Sequence, residues 1–284
     1  MGAMALRPAF SLLRPVNCFM IGFAVIVGEF VSKPPSVSPL QSALGFMTGF
    51  LICGYSMVIN DIYDLEVDRV NQPDRPLPSA RVSLGSARRL SVALLVAGMA
   101  CSVLSLSAAA AFVAAAYALI SWLYSARAKK AGLPGNLIVA SSLAIPFVYG
   151  GVISGGAASG ALLLLMALTA FFSGVGREVV KAMADVEGDA KRGIRSLARS
   201  RGMGAAAAVG AVFFALAVLT SWAPLVLRIA NSYYAYGVVV PDAIFVALAA
   251  WILRDRSAGN AHRVKGFALA GMLAGLLVFI GGGL

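Results

Sequence analysis

Two clusters of acidic residues interrupt a chain that is otherwise strongly apolar. The first lies in residues 60–68, which read Asn-Asp-Ile-Tyr-Asp-Leu-Glu-Val-Asp, and the second in residues 185–189, which read Asp-Val-Glu-Gly-Asp. Each cluster follows a long apolar run. Carboxylates at a membrane surface are costly unless they are solvated or bind something. The two clusters therefore indicate a metal-dependent site.

The spacing of the first cluster places its aspartates on one side of a helix. Asp61, Asp64 and Asp68 stand at i, i+3 and i+7, and Asn60 lies one turn before Asp64 and borders the same face. Like charges on one face repel each other unless a cation neutralises them. Carboxylate oxygens suit Mg²⁺, which completes its shell with water and substrate phosphates. A solvated acidic helix end is the alternative interpretation.

The second cluster adds basic residues to the pattern. Arg177, Lys181, Asp185 and Asp189 are spaced four apart and would form one stripe on a continuous helix. Two cations followed by two carboxylates suit a phosphate and its bridging metal. Glu178 lies beside them as a weaker candidate for a supporting residue. The alternative is a ladder of i,i+4 salt bridges at a helix end.

Other polar residues border the apolar runs on the same side. Arg75 lies in the proline-rich segment 74–81, whose prolines would hold it in place as a clamp for a diphosphate. Ordinary positive-inside anchoring is the alternative. The remaining candidates for substrate binding are Arg14, Asn17, Tyr124 and Lys129.

The composition predicts an all-α membrane protein. Of the 284 residues, 60% are hydrophobic and 12% are charged, whereas about a quarter of the residues are charged in soluble domains. The apolar runs are continuous, which argues against a β-barrel. They also leave no room for a separate soluble domain, so we predict one domain over residues 1–284.

We predict nine transmembrane helices around a central cavity. The acidic motifs fall in the cytoplasmic loops at 60–89 and 178–202, four helices apart, which suggests two four-helix-like halves. The predicted spans are residues 16–32, 40–60, 90–106, 108–124, 137–153, 161–177, 203–222, 234–253 and 265–283.

The placement of basic residues predicts the orientation. The net charge is +11, which in a soluble protein could indicate nucleic acid. Here all but Lys33 and Arg228 of the 23 Lys and Arg residues fall on one side when the N-terminus is cytoplasmic. We therefore predict a protein of the cell membrane with an N-in, C-out orientation. Both acidic clusters would then lie on the cytoplasmic side. We expect no binding of nucleic acid.

These motifs resemble those of the UbiA-type intramembrane prenyltransferases. The family signature is NDxxDxxxD after helix two and DxxxD after helix six, and the resemblance covers essentially the whole chain. The matching residues are Asn60, Asp61, Asp64 and Asp68 in the first motif, Asp185 and Asp189 in the second, and the segments 75–79, 124–125 with Lys129, and 176–178 with Lys181.

The resemblance implies transfer of a prenyl group from an isoprenoid diphosphate to an acceptor, with Mg²⁺ as cofactor. The oligomeric state is left open. In the implied site, one Mg²⁺ is held by Asp61, Asp64 and Asp68 with help from Asn60, and a second Mg²⁺ is held by Asp185 and Asp189. The departing pyrophosphate is neutralised by Arg75, Arg177 and Lys181. An acceptor phosphate is bound by Lys129 or Arg14, and the site is bordered by Asn17 and Tyr124.

Within this family the chain is most similar to the archaeal branch that makes ether lipids, the digeranylgeranylglyceryl phosphate synthases. That likeness implies a geranylgeranyl donor and geranylgeranylglyceryl phosphate as acceptor. Two departures stand out: Ala80 replaces the glycine of the RPxPSGR pattern, and residues 182–184 read Ala-Met-Ala in place of Asp-Ile-Glu.

Three alternatives differ in substrate or class. An aromatic acceptor, such as 4-hydroxybenzoate or a quinone or haem precursor, would use the same motifs. A CDP-alcohol phosphotransferase would carry a DG-x2-AR pattern, which this sequence lacks. A transporter would place charges near mid-membrane on broken helices, and only Asp242 beside Pro241 has that character.

Overall fold

The computed structural model describes residues 6–32, 38–155, 160–191 and 193–283, and these residues contain helices and no strands. A short 3₁₀ helix covers Ala128–Ala131, and all the other helices are α-helices. The α-helices are α1 (Leu6–Leu12), α2 (Pro15–Val31), α3 (Pro39–Asn71), α4 (Leu84–Leu104), α5 (Ala108–Ala126), α6 (Leu133–Ile153), α7 (Ala161–Ala184), α8 (Val186–Lys191), α9 (Leu197–Val226), α10 (Ser232–Arg254) and α11 (Ala258–Gly283).

The predicted membrane architecture is confirmed at the level of a multi-pass helical protein. Among the described residues, eight helices are long and apolar enough to cross a bilayer, namely α3 to α7 and α9 to α11. Helix α2 is also apolar but has 17 residues, which span about 26 Å against a hydrocarbon core of about 30 Å. The predicted outward residue Lys33 lies outside the described ranges.

The long helices pack as a closed bundle. Helices that follow one another pack together in the pairs α2–α3, α3–α4, α6–α7 and α10–α11, and α9 lies against both α7 and α10. Helix α2, near the N-terminus, packs on α6 and also on the C-terminal helix α11. The contact with α11 brings the two ends of the chain together. The interior of this bundle is therefore bordered by helices from the whole sequence.

Two glycines bring α2 and α6 into backbone contact. A Cβ atom on Gly28 would lie 2.1 Å from the carbonyl oxygen of Phe147, and one on Gly150 would lie 2.1 Å from that of Val25. Real Cβ atoms do not approach so closely, so only glycine permits this crossing. The two helices are consequently locked together near the C-terminal end of α2.

The helix ends differ from the sequence prediction at both acidic motifs. Helix α3 continues to Asn71, so the first motif is helical and does not lie in a loop. Helix α7 ends at Ala184, and Asp185 leaves the helical conformation with φ −102° and ψ 16° before α8 begins at Val186. The predicted stripe from Arg177 to Asp189 is therefore interrupted, because no continuous helix carries it.

Candidate active site

The three aspartates of α3 form one buried face, as their spacing predicts. Asp61, Asp64 and Asp68 are only 5%, 8% and 1% exposed. Glu66 points away from them into solvent, where it pairs with Arg69 at 2.9 Å. The acidic face is thus directed into the protein and does not form a solvated helix end.

Two arginines neutralise the two ends of this face. Arg14 lies between α1 and α2 and donates a hydrogen bond of 2.8 Å to Asp61. Arg75 donates a hydrogen bond of 2.6 Å to Asp68 and lies 3.7 Å from Asp61. Arg14 is 47 residues from its partner, so the bundle itself creates this pair.

A lysine occupies the middle of the face. Lys129, in the 3₁₀ helix after α5, forms a salt bridge with Asp64 and donates a hydrogen bond of 3.1 Å to the side-chain oxygen of Asn60. The amide nitrogen of Asn60 donates to Asp64 at 3.0 Å. Asn60 therefore orients both the lysine and the carboxylate.

The segment after α3 holds Arg75 through a compact turn. The backbone N–H of Ser79 donates to the carbonyl of Arg75 at 3.0 Å, and that of Val82 donates to Pro76 at 3.0 Å. Ala80 adopts φ +58°, a left-handed conformation that favours glycine. Ala80 therefore leaves local strain in the loop, which glycine would relieve.

The second acidic cluster lies at the junction of α7 and α8. The side chain of Asp185 is 47% exposed and lies 3.7 Å from Lys265 of α11. Asp189 is buried at 7% exposure, and its backbone carbonyl accepts hydrogen bonds from Ile194 at 3.0 Å and Arg199 at 3.1 Å. Contacts from the segment that leads into α9 and from α11 thus fix this junction.

Glu178 organises the basic residues of α7. It is 6% exposed and binds Arg177 at 3.1 Å and Lys181 at 3.0 Å. These two cations therefore pair with Glu178 and not with Asp185, one turn further along. From the sequence alone Glu178 is a weak candidate for a supporting residue, although its position between two basic residues at i−1 and i+3 is a usable signal.

A cavity of about 320 Å³ lies inside the bundle. Its polar end is lined by Arg14, Asn17, Arg177, Glu178 and Lys181, and most of its other lining residues are apolar.

Tyr124 is half-buried near the C-terminal end of α5 and is not among the residues that line this cavity. Of the predicted residues that the structure describes, Arg14, Asn17, Arg177 and Lys181 line the cavity, and the aspartates of both clusters do not. Asp61 joins the cavity through its hydrogen bond with Arg14.

The chemistry of the first face fits Mg²⁺. Its donors are carboxylate and amide oxygens, which are ligands for this ion. Within the described part of the chain, no three His, Cys, Asp or Glu side chains converge as a ready-made metal site. Mg²⁺ does not need such a cage, because water and substrate phosphates complete its shell.

The model of the UbiA prenyltransferase family matches residues 21–274. The chain belongs to the UbiA prenyltransferase family.

Curated and solved relatives cover nearly the whole chain. It is 33% identical over 282 residues to the digeranylgeranylglyceryl phosphate synthase of Methanocaldococcus jannaschii, covering 98% of this chain and 96% of the relative. A solved structure concerned with digeranylgeranylglyceryl phosphate synthase matches with a TM-score of 0.78 at 33% identity, covering 98% of each chain. A UbiA homologue from Archaeoglobus fulgidus bound to GPP and Mg²⁺ shares the fold, with a TM-score of 0.66 at 20% identity over 96% of this chain and 99% of the other.

The UbiA motifs thus have a defined place in this structure. The first motif is a buried face of α3 whose carboxylates pair with basic side chains, and the second motif lies at the junction of two helices. The transporter-like residue Asp242 lies elsewhere, on α10, which continues through Pro241 without a break. The broken helix expected for a transporter is therefore absent at this position.

Proposed function

We propose that this UbiA-family protein transfers a geranylgeranyl group from its diphosphate to geranylgeranylglyceryl phosphate, with Mg²⁺ as cofactor. The observation that carries the proposal is a cavity with a charged mouth and an apolar interior. The names of the curated relatives support this acceptor, and the related fold bound to GPP and Mg²⁺ supports the donor and the ion.

The diphosphate binds at the charged mouth. Asp61, Asp64 and Asp68 would hold one Mg²⁺, and Asp185 and Asp189 would hold another. The ions supply charge neutralisation for the diphosphate when they are bound. The three carboxylates of α3 are already buried on one face, so little reorganisation of the helix is required.

Basic side chains stabilise the leaving pyrophosphate. Arg177 and Lys181 line the cavity beside Glu178, and Arg75 is held by the turn that follows α3. Fixed cations aimed at developing negative charge lower the barrier to departure of the pyrophosphate. Arg14, which lines the cavity, or Lys129, which pairs with Asp64, would bind the acceptor phosphate.

The apolar interior protects the reactive chain. When the bond between C1 and the diphosphate oxygen breaks, an allylic carbocation remains at C1. The apolar lining excludes water, which would otherwise capture this cation. The free hydroxyl of geranylgeranylglyceryl phosphate attacks C1 and forms the ether bond, and its proton is released.

The proposal includes an orientation of the protein in the membrane. We propose nine membrane spans, with α2 as the ninth, and an N-in, C-out topology that places the mouth at the cytoplasmic face of the cell membrane. The asymmetry of Lys and Arg residues supports this orientation. A cytoplasmic mouth would also give both phosphate-bearing substrates access from water.

A competition experiment tests the acceptor. Purified protein receives Mg²⁺, geranylgeranyl diphosphate and equal amounts of geranylgeranylglyceryl phosphate and 4-hydroxybenzoate, and mass spectrometry identifies the products. We expect the diether lipid as the main product in the native chain and in Asp74→Ala, an exposed residue after α3, and no product in Asp61→Ala. Product from the aromatic acid alone would contradict the proposed acceptor.

A further inference from the structure

Far from its charged mouth, the cavity is lined by an aromatic wall. Phe147 of α6 and Phe279 of α11 both line the cavity, and their ring centroids are 5.7 Å apart in an edge-to-face arrangement. Tyr234 stacks on the other side of Phe279 at 6.4 Å. All three residues are at most 5% exposed, so the wall is a packed part of the interior.

Several contacts fix this wall in position. The hydroxyl of Tyr234 donates a hydrogen bond of 2.7 Å to the backbone carbonyl of Ser221. The backbone of Phe147 is the surface on which Gly28 packs at the crossing of α2 and α6. A hydrocarbon chain pressed against this wall therefore meets side chains that cannot easily yield.

The neighbouring surface of the cavity is polar. Asp242 is 8% exposed, and the hydroxyl of Ser221 lies 3.0 and 2.9 Å from its two oxygens. The indole of Trp222 also lies close to this carboxyl group. A hydroxyl carries one hydrogen, so it cannot satisfy both oxygens, and hydrocarbon that covered the carboxyl group would leave acceptor capacity unused. Extension of an apolar chain in this direction is disfavoured.

The distance from mouth to wall matches a defined chain length. Lys265 of α11 contacts Asp185 of the second acidic motif at 3.7 Å. Phe279 lies fourteen residues later on the same helix, which is about 21 Å along its axis. Four carbon–carbon bonds of about 1.5 Å advance an extended isoprene unit by roughly 5 Å. Four isoprene units therefore reach the wall.

We propose that Phe147 and Phe279, with the Ser221–Asp242 pair beside them, set the upper limit of the isoprenoid donor at four units. This inference rests on the proposed function for the class of substrate. The new element is the identity of the residues that limit the length of that substrate. A five-unit chain has no space beyond the rings and must fold back or remain outside the mouth.

The test compares geranylgeranyl diphosphate with geranylfarnesyl diphosphate, which has one more isoprene unit. Full-length protein receives both donors in equal amounts, and the product ratio is measured together with the equilibrium binding of each diphosphate in separate samples. Phe279→Ala removes the ring, and Phe279→Leu is a milder variant in case the first does not fold. Phe267→Ala is the matched control, because it lies on the same helix with 54% of its surface exposed.

We expect the native chain and Phe267→Ala to favour the four-unit donor at least about tenfold, since an ill-fitting methylene alone changes selectivity by about this factor. In Phe279→Ala the two donors should be used within about threefold of each other, and Phe279→Leu should lie between these values. Equal use by the native chain, or an unchanged ratio in both Phe279 variants, would overturn the inference.

The binding measurement separates this inference from the proposed function. If the protein transfers no prenyl group to any acceptor, the proposed function fails. The binding ratios still decide whether the wall limits chain length.

Discussion

Replacing Glu178 by glutamine is expected to destabilise the protein and weaken its hold on diphosphate. Glu178 is the buried acceptor for both basic residues of α7. Glutamine has nearly the same shape but only one acceptor oxygen, and its NH₂ group cannot bond to a cation. Either Arg177 or Lys181 must therefore lose its partner, and the other is left with a neutral acceptor.

The contacts allow the size of this effect to be worked out. A hydrogen bond to a charged group contributes about 1.5–3 kcal/mol. One such bond is lost and the second is weakened, but Lys181 is 44% exposed and water replaces part of its interaction. We expect the free energy of unfolding to fall by about 3 kcal/mol.

The assay compares Glu178→Gln with Glu187→Gln, whose side chain is exposed in α8. Unfolding by denaturant in detergent micelles gives the stability of each variant, and competition binding gives the affinity for geranylgeranyl diphosphate. The control should be within about 0.5 kcal/mol of the native chain. Equal stability and equal diphosphate affinity in the two variants would refute the assigned role of Glu178.

Three further predictions follow from particular contacts. Gly150→Ala should destabilise the bundle by about 3 kcal/mol, because its Cβ would overlap the carbonyl oxygen of Val25, whereas Gly266→Ala, with open space around it, should change the unfolding midpoint little. Ala80→Gly should raise stability by about 1 kcal/mol in the same assay, since it relieves a positive φ; a loss of stability would contradict the strained turn. Asp61→Ala and Asp185→Ala should abolish turnover in a product assay while thermal unfolding shows folded protein, and retained activity would contradict their assignment as metal ligands.

Much of the first acidic face could be predicted from the sequence because it is local. The i, i+3, i+7 spacing places Asp61, Asp64 and Asp68 on one side of a helix, and the structure has them there. The prolines around Arg75 likewise indicated a held side chain. Such features depend on helical geometry and turn chemistry, which neighbouring residues determine.

The basic side chains that pair with this face could not be identified from local spacing. Arg14 and Lys129 are 47 and 65 residues from their aspartate partners, and only the packing of the bundle brings them together. The interruption at Asp185 did leave a local signal. An aspartate followed by acidic residues in the next turn is typical of a helix start, and α8 begins directly after it.

The depth of the cavity was also inaccessible to sequence analysis. Residues of α6, α9, α10 and α11 form its far end, and their relative levels depend on how the helices cross. The glycine contacts between α2 and α6 set one of these crossings. Nothing in the spacing of Gly28 and Gly150 distinguished them from the other glycines of this chain.

The most direct test of the central claim follows both products of a single turnover. Purified protein is mixed with geranylgeranyl diphosphate labelled with ¹³C at C1, geranylgeranylglyceryl phosphate and Mg²⁺, and ether and pyrophosphate are measured together. We expect one labelled ether bond at C1 for each pyrophosphate released, with both products lost on chelation and restored by added Mg²⁺. Release of pyrophosphate without the ether, or ether formation that persists in chelator, would contradict the account.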